Sequence, residues 1–211
     1  MSNLLFPSHL LSESEASKII DPHLVTLSNC FGDGVRAWQR IRRNNPDECL
    51  MLPTRTWAGI IHANTVRAAQ LAFRNMAPDI MLYHDGNDAC HDNKYFAIDF
   101  YGKLVLRFKK LRRDLHPSCY KTEEQKHFDL QEPEELLYGP AATLATAGYR
   151  LDRLAATIKD IHIVAWLGNI RLFLILLPLP AAIAMPIAVA HQGKRRKTRV
   201  RAKGRRGVEG Q

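Results

Sequence analysis

Apolar residues recur along the chain in two different periods, and the switch between them divides it. From Asp21 to Arg43, and again from Thr54 to Met76, the apolar spacing is three or four residues, which predicts helices. The first stretch sets Val35, Trp38 and Ile41 on one face and Arg36, Arg40 and Arg43 on others. Gly32 and Gly34 weaken its middle, so one helix and two short ones fit equally well. The second stretch follows Pro53, with Thr54 or Thr56 placed to cap it and Pro78 to stop it. Its stripe is Trp57, Ile61, Ala68, Leu71 and Ala72. Ahead of both, Ser12 and Glu15 have the spacing of a capping box for a brief helix.

From Ile80 the period drops to two. Ile80–Tyr83 predicts a short strand, followed by the turn-forming run HDGNDACHDN. In Tyr95–Phe100 and Leu104–Lys109, Phe96, Ile98, Phe100, Leu104, Leu106 and Phe108 alternate with mostly polar residues. A two-residue turn at Tyr101-Gly102 would set Phe100 against Lys103. A loop of Tyr101-Gly102-Lys103 pairs Phe100 with Leu104, Ile98 with Leu106 and Phe96 with Phe108, and keeps one face apolar. Gly102 supplies the left-handed residue such loops need. The opposite face, with Tyr95, Asp99, Arg107 and Lys109, is expected to be wet. Thr122 with Gln125 signals a helix over about Glu123–Gln131, ended by Pro133. Thr143–Arg150 predicts a further strand, and Thr157–Trp166 with Ile170–Leu177 a second hairpin around Leu167-Gly168-Asn169.

These elements predict an α+β fold, with N-terminal helices packed on a mainly antiparallel sheet and a disordered basic C-terminal tail. The expected division is an N-terminal helical segment (1–50), an α+β domain (51–177), and a Pro/Ala-rich linker with the tail (178–211). One segment complicates this. Leu172–Ala190 carries no charge and precedes a Lys/Arg cluster, the pattern of a spanning helix with a cytoplasmic end. Pro178, Pro180 and Pro186 argue against a lone helix there. The expectation is therefore a strand followed by an extended linker, with a membrane anchor as the alternative.

Charge changes the picture at the far end. Of 30 Lys and Arg against 21 acids, nine cations and one acid fall after Ala190, leaving a single excess positive charge on the rest. The cations are Lys194, Arg195, Arg196, Lys197, Arg199, Arg201, Lys203, Arg205 and Arg206. A flexible cationic run binds polyphosphates by releasing counterions, so the tail predicts nonspecific nucleic-acid contact. Attraction to anionic lipid and simple solubilisation are the competing readings. The N-terminus lacks the basic and apolar regions of a secretory signal, which suggests the cytoplasm, with inner-membrane anchoring as the alternative. Cys30, Cys49, Cys90 and Cys119 are then expected to be free thiols, acting as small hydrophobes.

Chemistry is sparse. Asp99 with Lys103, joined by Asp79, offers the carboxylates and lysine that a restriction-like nuclease uses to hold Mg²⁺ and support the attacking water. The spacing departs from that pattern, because three residues separate Asp99 from Lys103. Ordinary cross-strand pairing of Asp99 with Arg107 explains the same residues. His84, Cys90, His91, His116 and Cys119 are the metal-ligand types nearest one another, but their spacings match no familiar zinc signature, so no metal is expected. No GxSxG, HExxH, Walker A or dinucleotide motif occurs, and no cofactor is expected.

The series RTWAGIIHANTVRAAQLAF (55–73), YFAIDFYGKLVLRFKKL (95–111), AGYRLD (147–152) and IKDIHIVAWLGNIRLFL (158–174) resembles a family of uncharacterised bacterial proteins. Such proteins are encoded beside helix-turn-helix regulators and ImmA/IrrE-type peptidases in suspected toxin–antitoxin or phage-defence loci. The resemblance implies a partner of one of those kinds and transfers no catalytic residue. The sequence thus predicts a soluble, non-enzymatic component of such an operon that contacts nucleic acid through its tail. A metal-dependent nuclease or toxin, and a membrane-anchored protein, are the alternatives.

Overall fold

In the computed structural model, which describes residues 10–74, 76–84, 96–118, 122–132, 142–152 and 157–180, the first helix starts as its sequence requires. The Glu15 amide donates to the Ser12 hydroxyl and the Ser12 amide to the Glu15 carboxylate, and this closed pair opens α1 (Glu13–Ile20). A 3-10 turn at Asp21–His23 leads into α2 (Leu24–Asn44). The short α3 (Pro46–Leu50) reverses the chain, and α4 (Thr54–Phe73) returns along α2.

The two glycines do not break α2. A Cβ at Gly34 would strike Thr65 Oγ1 and come within 2.6 Å of the Ile61 carbonyl, so glycine is what lets α2 and α4 cross in contact. Gly32 does the same for Pro180, whose Cγ would lie 3.0 Å from an added Cβ. The expected threonine cap on α4 is not made. Pro53 is the extended flanking residue and Thr54 is already helical, so neither Thr54 nor Thr56 sits where a capping side chain must.

Six strands follow: β1 (Ile80–His84), β2 (Phe96–Phe100), β3 (Leu104–Lys110), β4 (Thr143–Leu151), β5 (Ile158–Leu167) and β6 (Ile170–Leu177). They pair in chain order, antiparallel except for β3 with β4, which run parallel. The β2–β3 register is the one that keeps a face apolar, with Phe100 opposite Leu104 and Ile98 opposite Leu106. Tyr101 and Gly102 both adopt left-handed backbone (φ 61° and 65°), and the Lys103 amide closes the turn on the Phe100 carbonyl.

The face beyond the hairpin is not wet, contrary to expectation. Asp99 is 1% exposed and Arg107 6%. Parallel strands need a crossover, and crossovers lay their helices on a sheet face. Here α5 (Glu123–Asp129) does so, capped by Thr122, and its Phe128 packs on Ala97, Val105, Ala142 and Leu144. The segment after β3 covers the next strip, where Leu111 and Leu115 pack on Val164. Tyr95 lies outside the described residues, and Lys109 is half-buried.

On the other face, one core runs from Ala16 and Ile20 of α1 through α2 and α4 to Leu177 of β6. Residues before 51 therefore share their core with the sheet. The expected linker also starts late. Ser28 Oγ donates to the Pro178 carbonyl and Pro180 is buried against α2, so the chain stays docked through residue 180. Leu172–Leu177 belongs to β6, and among the described residues no helix is long and apolar enough to cross a membrane.

Candidate functional site

Asp79, Asp99 and Lys103 all belong to the turn end of the first hairpin. The Tyr101 amide donates to the Asp79 carbonyl, which ties β1 to the β2–β3 turn. Asp99 points into the layer beneath α5, where Gly102 N donates to its Oδ1 at 2.9 Å and Tyr83 Oη to its Oδ2 at 3.3 Å. Burial raises its pKa, and these two hydrogen bonds offset part of that rise. The Asp79 and Lys103 side chains are exposed instead. The carboxylate that a nuclease would aim at a metal thus caps the turn from inside. Among the described residues no three His, Cys, Asp or Glu side chains could share a metal ion.

Arg107 lies opposite Ala97 in the strand pairing and reaches α5. Its guanidinium donates to Glu124 at 2.8 Å and covers the Phe128 ring at 4.5 Å. The pair fastens the crossover helix to the sheet.

A second polar group, not anticipated from the sequence, spans β4 and β5. Arg150 faces Asp160 across the ladder and donates to both its carboxylate oxygens at 2.6 Å. Burial acts to raise the Asp160 pKa, but Arg150 and its neighbours outweigh it and hold the carboxyl below its usual range. His162 Nε2 lies 3.2 Å from Asp160 Oδ1 without hydrogen-bond geometry, and neither ring nitrogen has a hydrogen-bond partner among the described residues. Burial lowers the His162 pKa although Asp160 pulls the other way, so the ring is neutral near pH 7. A carboxylate beside a histidine can orient a general base. Covalent catalysis would also need a hydroxyl or thiol on the imidazole, and none is bonded to it among the described residues. The legible signal was the run Ile158-Lys-Asp-Ile-His-Ile163, whose alternation places Asp160 and His162 on one face.

The candidate metal ligands do not come together as a described group. His116 stacks on Trp166 at 3.8 Å; Cys90, His91 and Cys119 lie outside the described residues, as does the His84 side chain. Cys30 and Cys49 are free and buried, and burial with nearby Asp33 pushes the Cys30 thiol up to about 12, which leaves it unreactive. The nine cations from Lys194 to Arg206 also lie outside the described residues. The chain matches no family model, no curated protein and no solved structure.

Proposed function

We propose that the protein is a non-enzymatic nucleic-acid-contacting component, with Lys194–Arg206 as its principal contact. The observation that carries this reading is the segregation of charge, since nine cations and one acid follow Ala190 while the remainder is nearly balanced. A run of like charge without apolar periodicity meets phosphates through counterion release and does not read base edges. The commitment of Asp99 to its own turn supports the non-enzymatic part. A helix-turn-helix or ImmA/IrrE-type partner belongs to the proposal on sequence resemblance alone. The test is purification of the full chain in low salt. Co-purifying nucleic acid, removed by nuclease or by high salt, is the expected result, and a preparation free of nucleic acid that also fails to bind added DNA or RNA contradicts the reading.

A further inference from the structure

Two tryptophans close one end of the helical layer and gather cations around it. Trp38 stacks on Trp57 with ring centroids 6.2 Å apart, and the Lys110 ammonium lies 4.5 Å from the Trp57 ring centre. These contacts join the last turns of α2, the start of α4 and the last residue of β3. Arg40, Arg42 and Arg43 are exposed just past Trp38, Arg55 just before Trp57, and Arg112 and Arg113 just past Lys110. Arg150 ties β4 to the same end by donating to the Arg113 carbonyl at 3.2 Å. Among the described residues, the exposed acids on α2, α3, α4 and the stretch after Lys110 are Asp33, Asp47, Glu48 and Asp114, of which Asp33 pairs with Arg36 and Asp114 with Arg112 at 3.4 Å.

The opposite end has another character. Cations and acids mix there: Lys18 and Lys103 act electrostatically on Glu15, and exposed Arg74 and Arg171 stand with exposed Glu13, Asp21 and Asp79. The body is nearly neutral in sum but polarised.

We propose that this arginine-rich end, built from α2, α4 and the 110–113 connector, is a second phosphate-contacting surface that holds the backbone of the nucleic acid engaged by the tail. The inference rests on the nucleic-acid reading above. Guanidinium groups suit the role, because their planar fork matches phosphate oxygens in pairs. The position of Pro180, the last described residue before the tail, adds to it. Pro180 sits on Gly32, and Arg40 follows eight residues later on the same helix, about 12 Å along its axis. The thirteen residues between Pro180 and Lys194 span at most about 45 Å. One duplex can therefore touch both elements, and the second contact becomes intramolecular. An anionic bilayer is the rival occupant, since Leu50 and Met51 are 76% and 85% exposed at this end. To bury Leu50 and Met51 a bilayer would have to draw Asp47 and Glu48 against its anionic headgroups, whereas a duplex lying on the arginines need not cover that segment.

The experiment compares two triple variants of the full chain, R40Q/R43Q/R113Q and R74Q/R171Q/K103Q, which remove equal charge from opposite ends. Duplex DNA and phosphatidylserine vesicles are titrated over a range of salt, with melting temperatures confirming that both variants fold. The expected result is about tenfold weaker DNA binding for the first triple, with the log–log salt slope shallower by about 0.9 for each phosphate it no longer neutralises. The second triple should keep nearly the original slope. Equal weakening by the two triples would mean that net charge alone acts, and an unchanged first triple would mean that the surface is idle. Vesicle binding that the first triple abolishes, with DNA binding intact, would transfer the surface to lipid. Each of these three outcomes overturns the proposal. A chain ending at Ala190 separates the two readings: undiminished DNA binding by it refutes the tail, while the surface then stands or falls with the first triple.

Discussion

Asp99 shows how a residue's surroundings decide its meaning. Its carboxylate is buried, with one oxygen accepting from the Gly102 amide of the β2–β3 turn and the other from the Tyr83 hydroxyl of β1. Removing the charge while keeping an acceptor relieves the cost of burial. Removing the side chain orphans the Gly102 amide and the Tyr83 hydroxyl, at about 1–3 kcal/mol for unsatisfied groups. Asp99→Asn should therefore match or exceed the parent melting temperature at pH 7, and Asp99→Ala should fall well below it. A nuclease role would instead show as activity lost in Asp99→Asn with no change in stability. Two histidines act in the opposite sense with pH. His23 is enclosed between Phe73 and Phe100, with ring centroids 5.8 and 5.1 Å away, and burial lowers its pKa, as it does for His162. The unfolded chain takes up protons near pH 6.5 that the folded chain refuses, so stability present above that pH is lost as pH falls through the depressed folded values. Asp99, with a raised pKa, contributes stability below the usual aspartate range and loses it as pH rises through its folded value. Chemical denaturation should show a decline in stability from about pH 7.5 to about pH 5.5, and His23→Gln should make that decline shallower. A flat profile would mean that the rings are not held neutral.

At the scale of elements, glycine chemistry separates packing from propensity. Gly34→Ala gains helix propensity but forces a methyl against Thr65 and Ile61, and overpacking of this kind costs about 1–3 kcal/mol. Gly59 lies in α4 with nothing within 4 Å of an added Cβ, so Gly59→Ala should stabilise by about 0.5–1 kcal/mol. Two equal shifts would show that α2 and α4 do not meet at Gly34. The hairpin supplies a second contrast. Phe108 is buried against Phe31 and Phe96, with centroid distances of 5.4 and 5.6 Å, so Phe108→Ala should cost about 3–5 kcal/mol. Lys109→Ala, at a half-buried position outside that aromatic cluster, should cost clearly less than Phe108→Ala. Local signals made most of these elements legible: the Ser12 and Thr122 caps, the alternation of Phe96 to Phe108, and the Gly168 turn between β5 and β6. What stayed hidden was nonlocal. The parallel pairing of β3 with β4 leaves no mark in the alternation of either strand, so the burial of Asp99 and Arg107 under α5 could not be read from their own neighbourhoods. Gly34 looked like a helix breaker because its partner, Thr65, lies on another helix.

For the whole molecule, the sequence separated a near-neutral body from a cationic end, and the fold adds that the body's own charge is polarised along its long elements. The Arg150–Asp160–His162 group was legible in part, through the alternation of β5, but Arg150 arrives from β4 by register alone. Counterion release makes a quantitative demand on the proposed nucleic-acid contact. Duplex DNA binding should weaken steeply with salt, with a log–log slope of about −0.9 per phosphate contacted. The most direct measurement is that slope for the full chain and for a chain ending at Ala190, determined at equal temperature and pH. The full chain should show a steep slope, and the chain lacking Lys194–Arg206 weaker binding with a markedly shallower slope, at an unchanged melting temperature of the body. Equal affinity and equal slope for the two chains would contradict the proposed contact.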